Sequence, residues 1–208
     1  MKKTLIYVVP FRWKVKERKY IPDSQTEGYS GTEVLFPMNG IISHEIKMED
    51  DVDVLFIQTI DDSVNSTKTK DTEDFVRRGT DEISSILRDC CHSIAFNVIR
   101  VRFHSSSSDI INLYKEVCDR IAEGSVCYAD VTFGEKYNMM LVFCAMNYAE
   151  KYLGCEVAQL LYGRIDGEND SNGELREFTP LYLLNSLGQM FDGSRESFDS
   201  LVDNLIRK

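Results

Sequence analysis

Residues 125–154 read SVCYADVTFGEKYNMMLVFCAMNYAEKYLG. A short apolar run, 125–131, breaks at D-V-T-F-G-E-K, and an apolar pattern at helical spacing follows over 135–153. A strand, a glycine turn and a helix start in that order form the unit whose strand end holds ligands in α/β proteins. Gly134 relieves the sterics of the tight turn. The amides of Gly134, Glu135 and Lys136 fall at the helix N-terminus, where unsatisfied donors and the helix dipole attract an anion. Thr132 offers a hydroxyl and Lys136 a point charge suited to phosphate. Two roles suit Asp130: capping the turn, or accepting from a ribose hydroxyl.

Outward from this stretch, runs rich in β-formers occur at 4–9, 52–58, 97–103, 125–131 and 156–162. Helical patterns lie between them at 35–47, 72–91, 107–124 and 135–153. The alternation predicts an α/β fold, Rossmann-like and doubly wound, with a mostly parallel sheet and helices on both faces. Asp71, Glu73 and Asp74 suit the positive end of the second helix, and Ser107 or Ser108 can cap the third. After the fifth strand, the polar cluster around Gly167, Asn169, Asp170, Asn172 and Gly173 signals a C-terminal β-hairpin, with an antiparallel strand near 177–183. Residues 1–185 are expected to form one domain, and 186–208 a helical tail or a linker to an effector. The long polar loops are expected at 12–31 and 61–70.

In a doubly wound sheet the ligand site lies beyond the carboxyl ends of the strands. Four of those ends are polar here: P-F-R-W-K, Q-T-I-D-D-S, F-H-S-S-S-S and D-V-T-F-G-E-K-Y-N. They nominate Phe11, Arg12, Trp13, Lys14, Thr59, Asp61, His104, Ser105, Ser106, Asp130, Thr132, Phe133, Gly134, Glu135, Lys136 and Asn138 as ligand-binding residues. Each has a plainer role available, as a cap, a solvated lysine or a structural histidine. Their convergence on one rim is what carries the nomination.

The composition narrows the function. With 43% hydrophobic residues in 208, the chain can bury a large core. The formal net charge of −10 argues against a general nucleic-acid backbone binder. Yet residues 11–20, FRWKVKERKY, hold five Lys or Arg against one Glu, a local basic stretch after the first strand. The six cysteines form no C-x-x-C pair, so buried reduced thiols are expected and no metal site. The start, MKKTLIYVVPFRW, has too short an apolar run for a signal peptide, and no run approaches membrane-helix length, so a cytoplasmic protein is expected. G-x-G-x-x-G after the first strand, G-x-x-x-x-G-K-[ST] and G-x-S-x-G are all absent, and no cofactor is expected.

One further pattern joins these pieces. The order D-x-T-x-G (Asp130, Thr132, Gly134), apolar helix, Tyr162-Gly163, hairpin, Thr179-Pro180 resembles the CARF domain, the CRISPR-associated Rossmann fold, over about residues 3–185. Upstream, TEVLFPMNGIISHEI and a second strand ending in IQT fit the same pattern. One departure is that Glu135, not a basic residue, follows the motif glycine, and Lys136 comes second. The resemblance implies a sensor of cyclic oligoadenylate, the second messenger of type III CRISPR antiviral defence. It implies a homodimer whose two rims form one groove for a ring of four or six adenylates. Bases could stack on aromatics such as Trp13. It also implies an alternative, a metal-independent ring nuclease in which the ribose 2′-hydroxyl attacks the adjacent phosphate, with Lys136, Thr132, Ser105 and Arg12 as candidate groups. A further alternative is a transcription regulator binding another nucleotide. The tail at 194–208 is too short for a helix-turn-helix, so no direct DNA binding is expected.

Overall fold

Strand β1 (Lys2–Val8) carries six successive buried residues and stands in the middle of an eight-stranded sheet. The computed structural model describes residues 1–11, 15–22, 29–61, 67–103, 105–166 and 172–190. The other strands are β2 (Arg18–Pro22), β3 (Glu33–Val34), β4 (Asp51–Ile60), β5 (Ser93–Arg102), β6 (Val126–Asp130), β7 (Glu156–Arg164) and β8 (Asn172–Glu177). Helices are α1 (Ile42–Glu45), α2 (Thr67–Leu87), α3 (Ser107–Arg120), α4 (Lys136–Tyr152) and α5 (Thr179–Met190), with a 3-10 turn at Pro37–Gly40. The strand order is β3-β2-β8-β7-β6-β1-β4-β5. Strands β5, β4, β1, β6 and β7 are mutually parallel, and β8 runs antiparallel to β7. The expected α/β fold with a mostly parallel sheet is what the chain adopts.

The unbroken apolar half of β1, from Leu5 onward, follows from burial on both faces. Leu5, Tyr7 and Val9 face a core closed by the 3-10 turn, α1 and α2; Ile6 and Val8 face one closed by α3, α4 and Tyr182 of α5. After β1 the chain first forms β2 and β3 at the far edge of the sheet, then adds β4 and β5 beside β1, and returns through α3 to β6 on the other side of β1. The order reverses between β1 and β6. That reversal is the switch point where such sheets hold ligands.

Several expectations need correction. The pattern at 35–47 is not one helix but the 3-10 turn followed by the single turn α1. Pro37 starts the 3-10 turn and Gly40 ends it, and the apolar spacing reflects burial of Leu35, Phe36, Met38, Ile41 and Ile42 against the sheet. The antiparallel strand is β8, earlier than 177–183, and that stretch opens α5 instead. Thr179 and Pro180 start this helix, with Pro180 in a first turn where its missing N–H does no harm. The loop expected at 12–31 contains β2, which pairs in parallel with β8, and the chain then adds the short β3. Helix α2 begins at Thr67, so Asp71, Glu73 and Asp74 lie past its first turn, and Asp74 pairs with Arg77 at 2.6 Å. The cap of α3 is Ser106, not Ser107 or Ser108: its hydroxyl accepts from the Asp109 amide and Asp109 accepts from the Ser106 amide. Of the cysteines, Cys118, Cys127 and Cys155 are buried, Cys90 and Cys91 are half-buried, and Cys144 is exposed. Residues 191–208, most of the expected tail, lie outside the described residues. Among the described residues, no helix is long and apolar enough to cross a membrane.

Candidate functional site

A cleft of about 360 Å³ opens at the switch point, lined by Pro10, Phe11, Thr132, Phe133, Gly134, Glu135, Lys136, Tyr162, Gly163 and Ile165. The carboxyl ends of β1, β6 and β7 supply all of it. The turn between β6 and α4 is set by Asp130, which is fully buried. One carboxylate oxygen accepts from the Met38 amide at 2.9 Å and the other from the Thr132 amide at 3.1 Å. Asp130 therefore fixes the turn from beneath and does not line the cleft. Burial pushes its pKa up to about 6, with the bonds from Thr132 and Met38 offsetting part of the rise.

Beneath the cleft this carboxyl belongs to a buried polar group. The Tyr7 hydroxyl donates to Asn39 Oδ1 at 2.8 Å, and Asn39 Nδ2 donates to Glu82 Oε2 at 2.6 Å. The Leu35 amide also donates to Glu82. Burial first, then the carboxyls of Asp130 and Glu82, hold the Tyr7 pKa well above its ordinary value. Burial likewise raises that of Glu82.

The rest of the turn is shaped by close approach. Gly134 sits at φ +87°, and a Cβ there would stand 2.3 Å from Val8 Cγ1. The Thr132 hydroxyl accepts from the Gly163 amide at 2.7 Å, tying the turn to β7. Phe133 turns back into the aromatic cluster, edge-on to Phe36 and Phe75 at 5.9 Å from each. Helix α4 then starts at Lys136, and its N-cap residue Glu135 makes no side-chain cap bond. The Asn138 amide donates to the Glu135 carbonyl at 2.9 Å, and the Lys136 and Tyr137 amides ahead of it suit an anion.

The nominated residues divide. Phe11, Thr132, Phe133, Gly134, Glu135 and Lys136 line the cleft. Phe11 stacks on Phe103 at 4.7 Å, and Lys68 Nζ lies 5.7 Å from its ring centroid. Thr59 and Asn138 are buried beside the cleft, where Asn138 Nδ2 donates to Thr59 Oγ1 at 3.3 Å. Asp61 serves the start of α2 through its backbone: its amide donates to the Thr69 hydroxyl, and its carbonyl accepts from it. The Ser105 hydroxyl donates to the Arg102 carbonyl, and Ser106 caps α3. Arg12, Trp13, Lys14 and His104 lie outside the described residues. Arg18, read as a loop cation, is instead a 2% exposed residue of β2.

Pro10, Tyr162, Gly163 and Ile165 were not nominated, yet they complete the cleft. Tyr162 presents an aromatic ring there, backed by a near-parallel stack on Phe178 at 5.3 Å. A Cβ on Gly163 would fall 2.6 Å from Pro37 and 2.7 Å from Tyr20, so the wall of the cleft requires glycine at this point. The Tyr-Gly pair was the signal available for both. Among the described residues, no three His, Cys, Asp or Glu side chains gather as a metal site.

No protein-family model matches the chain, and no curated protein matches it.

Proposed function

We propose that the chain is a sensor domain for a cyclic oligoadenylate ring in type III CRISPR antiviral signalling, with cyclic tetra-adenylate favoured over the hexa-adenylate. The observation that carries this reading is the meeting of the 130–136 turn with the end of β1 at the switch point, where the α4 start opens into the cleft. Lys136 and the first-turn amides suit a phosphate, and Tyr162 offers a face for a base. At about 360 Å³ the cleft sits at the small end of ligand pockets, matching part of a ring rather than a whole one. A ring spanning two such clefts in a homodimer meets that size, since a two-fold pair presents the same groups twice.

The ring-nuclease reading ranks second on specific grounds. Of its candidates, Lys136 and Thr132 line the cleft, Ser105 does not, and Arg12 lies outside the described residues. Calorimetry with cyclic tetra-adenylate and cyclic hexa-adenylate, followed by chromatography of each mixture, tests both. One ring bound per two protomers and recovered intact is the expected result. Linear products would replace the sensor reading with the nuclease, and no binding of either ring would remove both.

A further inference from the structure

We propose that Lys68 is a second phosphate-contacting residue of the site, so that each protomer grips two phosphates of the ligand, one at Lys68 and one at Lys136. The inference rests on the cyclic-oligonucleotide reading above and deepens it. Lys68 is an exposed residue in the first turn of α2, and its Nζ stands over the ring of Phe11, 5.7 Å from the centroid. Phe11 lines the cleft, and its stack on Phe103 at 4.7 Å fixes the ring in place. The cation therefore stands beside a firm part of the cleft wall. A second contact agrees with that placement. Phe75 lies seven residues further along α2, on the same face of the helix as Lys68, and meets the cleft residue Phe133 edge-on at 5.9 Å. That face of α2 thus runs beside the cleft.

The Lys68 charge is poorly served by the fold itself. Helix α2 opens with Thr-Lys-Thr-Lys and has no acidic residue in its first turn. A cation there meets the positive end of the dipole. Among the described residues no carboxylate pairs with Lys68, although the chain carries a net charge of −10. An incoming phosphate supplies the missing negative charge. The topology makes it a different phosphate from the one at the α4 start. Phe75, Ile83 and Leu87 of α2 pack on one face of the sheet, and Leu141 and Val142 of α4 on the other. The two lysines thus reach the rim from opposite faces, and Phe11 is what they share: it walls the cleft with Lys136 and carries Lys68 over its ring. A strand crossing Phe11 presents successive phosphates, one to each lysine. Two such contacts in each of two protomers make four, the phosphate count of cyclic tetra-adenylate. A mononucleotide has no second phosphodiester to offer.

Calorimetry with cyclic tetra-adenylate at two ionic strengths, on the wild type, Lys68→Met, Lys68→Arg and Lys70→Met, tests this. Methionine keeps an unbranched apolar chain over Phe11 and removes the charge. Lys68→Met should bind about tenfold more weakly, and its affinity should fall less steeply as salt rises. Lys68→Arg keeps the charge and should bind close to wild type. So should Lys70→Met, because positions two apart point to different sides of a helix. Wild-type affinity and salt dependence in Lys68→Met would overturn the second phosphate contact while leaving the sensor reading intact. A loss with unchanged salt dependence would assign Lys68 to packing on Phe11 and overturn it as well. An equal loss in Lys70→Met would replace the contact with a diffuse field at the head of α2. A wild type that binds no ring would overturn the sensor reading and the Lys68 contact together.

Discussion

The Thr132 hydroxyl accepts the Gly163 amide proton at 2.7 Å, and this bond joins the ligand-facing turn after β6 to the end of β7. Thr132 is half-buried and Gly163 buried, so water is a poor substitute. Thr132→Val keeps the shape and removes the acceptor. It should lower stability by about 1–3 kcal/mol, the penalty for an unmet buried donor, while Thr132→Ser should recover most of it. Urea unfolding of the three proteins is the measurement. A valine variant as stable as wild type would mean the Gly163 amide finds another partner.

Gly134→Ala meets two obstacles at once. Its φ of +87° is disfavoured for an L side chain, and its new Cβ would stand 2.3 Å from Val8 Cγ1. The backbone component is on the order of 1–2 kcal/mol, and overpacking adds roughly 1–3 kcal/mol. Val8→Ala removes the second obstacle and not the first. The double variant should therefore be less destabilised than the sum of the single changes, by an interaction of about 1 kcal/mol or more. Strict additivity in a denaturation cycle would show that the clash is not what makes glycine necessary here.

Asp130 makes a pH prediction with a definite sign. Its folded pKa of about 6 lies above the ordinary 3.8, so the folded state holds its proton where the unfolded chain has released it. The contribution to stability is full below the unfolded value and is lost as pH rises through about 6. The difference between the folded and ordinary values corresponds to roughly 3 kcal/mol. Asp50, Asp51 and Asp109 are shifted downward and oppose this trend, and Glu82 is shifted upward and adds to it, so the wild-type profile alone does not isolate Asp130. The comparison with Asp130→Asn does, because the variant keeps every other titrating group. The wild type should lose stability relative to that variant between about pH 4 and 6.5. Parallel urea curves at four pH values across that window would refute a raised pKa.

How far the sequence disclosed this arrangement depends on what each residue had to satisfy. Strands β1, β4 and β6 were legible because burial on both faces demands unbroken apolar runs. Strand β2 was hidden because Arg18 is buried and Ile21 is exposed, which inverts the usual polarity of R-K-Y-I-P. The 35–47 pattern misled in the other direction: its apolar residues are buried, but its backbone serves Asp130 and Glu82 through the Met38 and Leu35 amides instead of extending a helix. In the site, the glycine turn and helix start were visible as a motif. The opposite wall was not nominated, because the proximity of Tyr162 and Ile165 to that turn comes from strand order, which spacing along the chain does not encode.

The adjacent charges at the head of α4 supply the last prediction. Glu135 and Lys136 both line the cleft, and only one of them suits an anionic ring. If a phosphate sits on the first turn of α4, Lys136→Ala removes a charge-assisted contact of roughly 1.5–3 kcal/mol, about a tenfold to hundredfold loss of affinity for cyclic tetra-adenylate. Glu135→Gln removes a like charge at the dipole's positive end and should tighten binding instead. The two changes should also move the salt dependence in opposite directions, because each alters the charge presented to the phosphates. Calorimetry at two ionic strengths reads both effects. Wild-type affinity in Lys136→Ala, with the ring still bound, would move the phosphate away from the α4 start and onto another part of the rim.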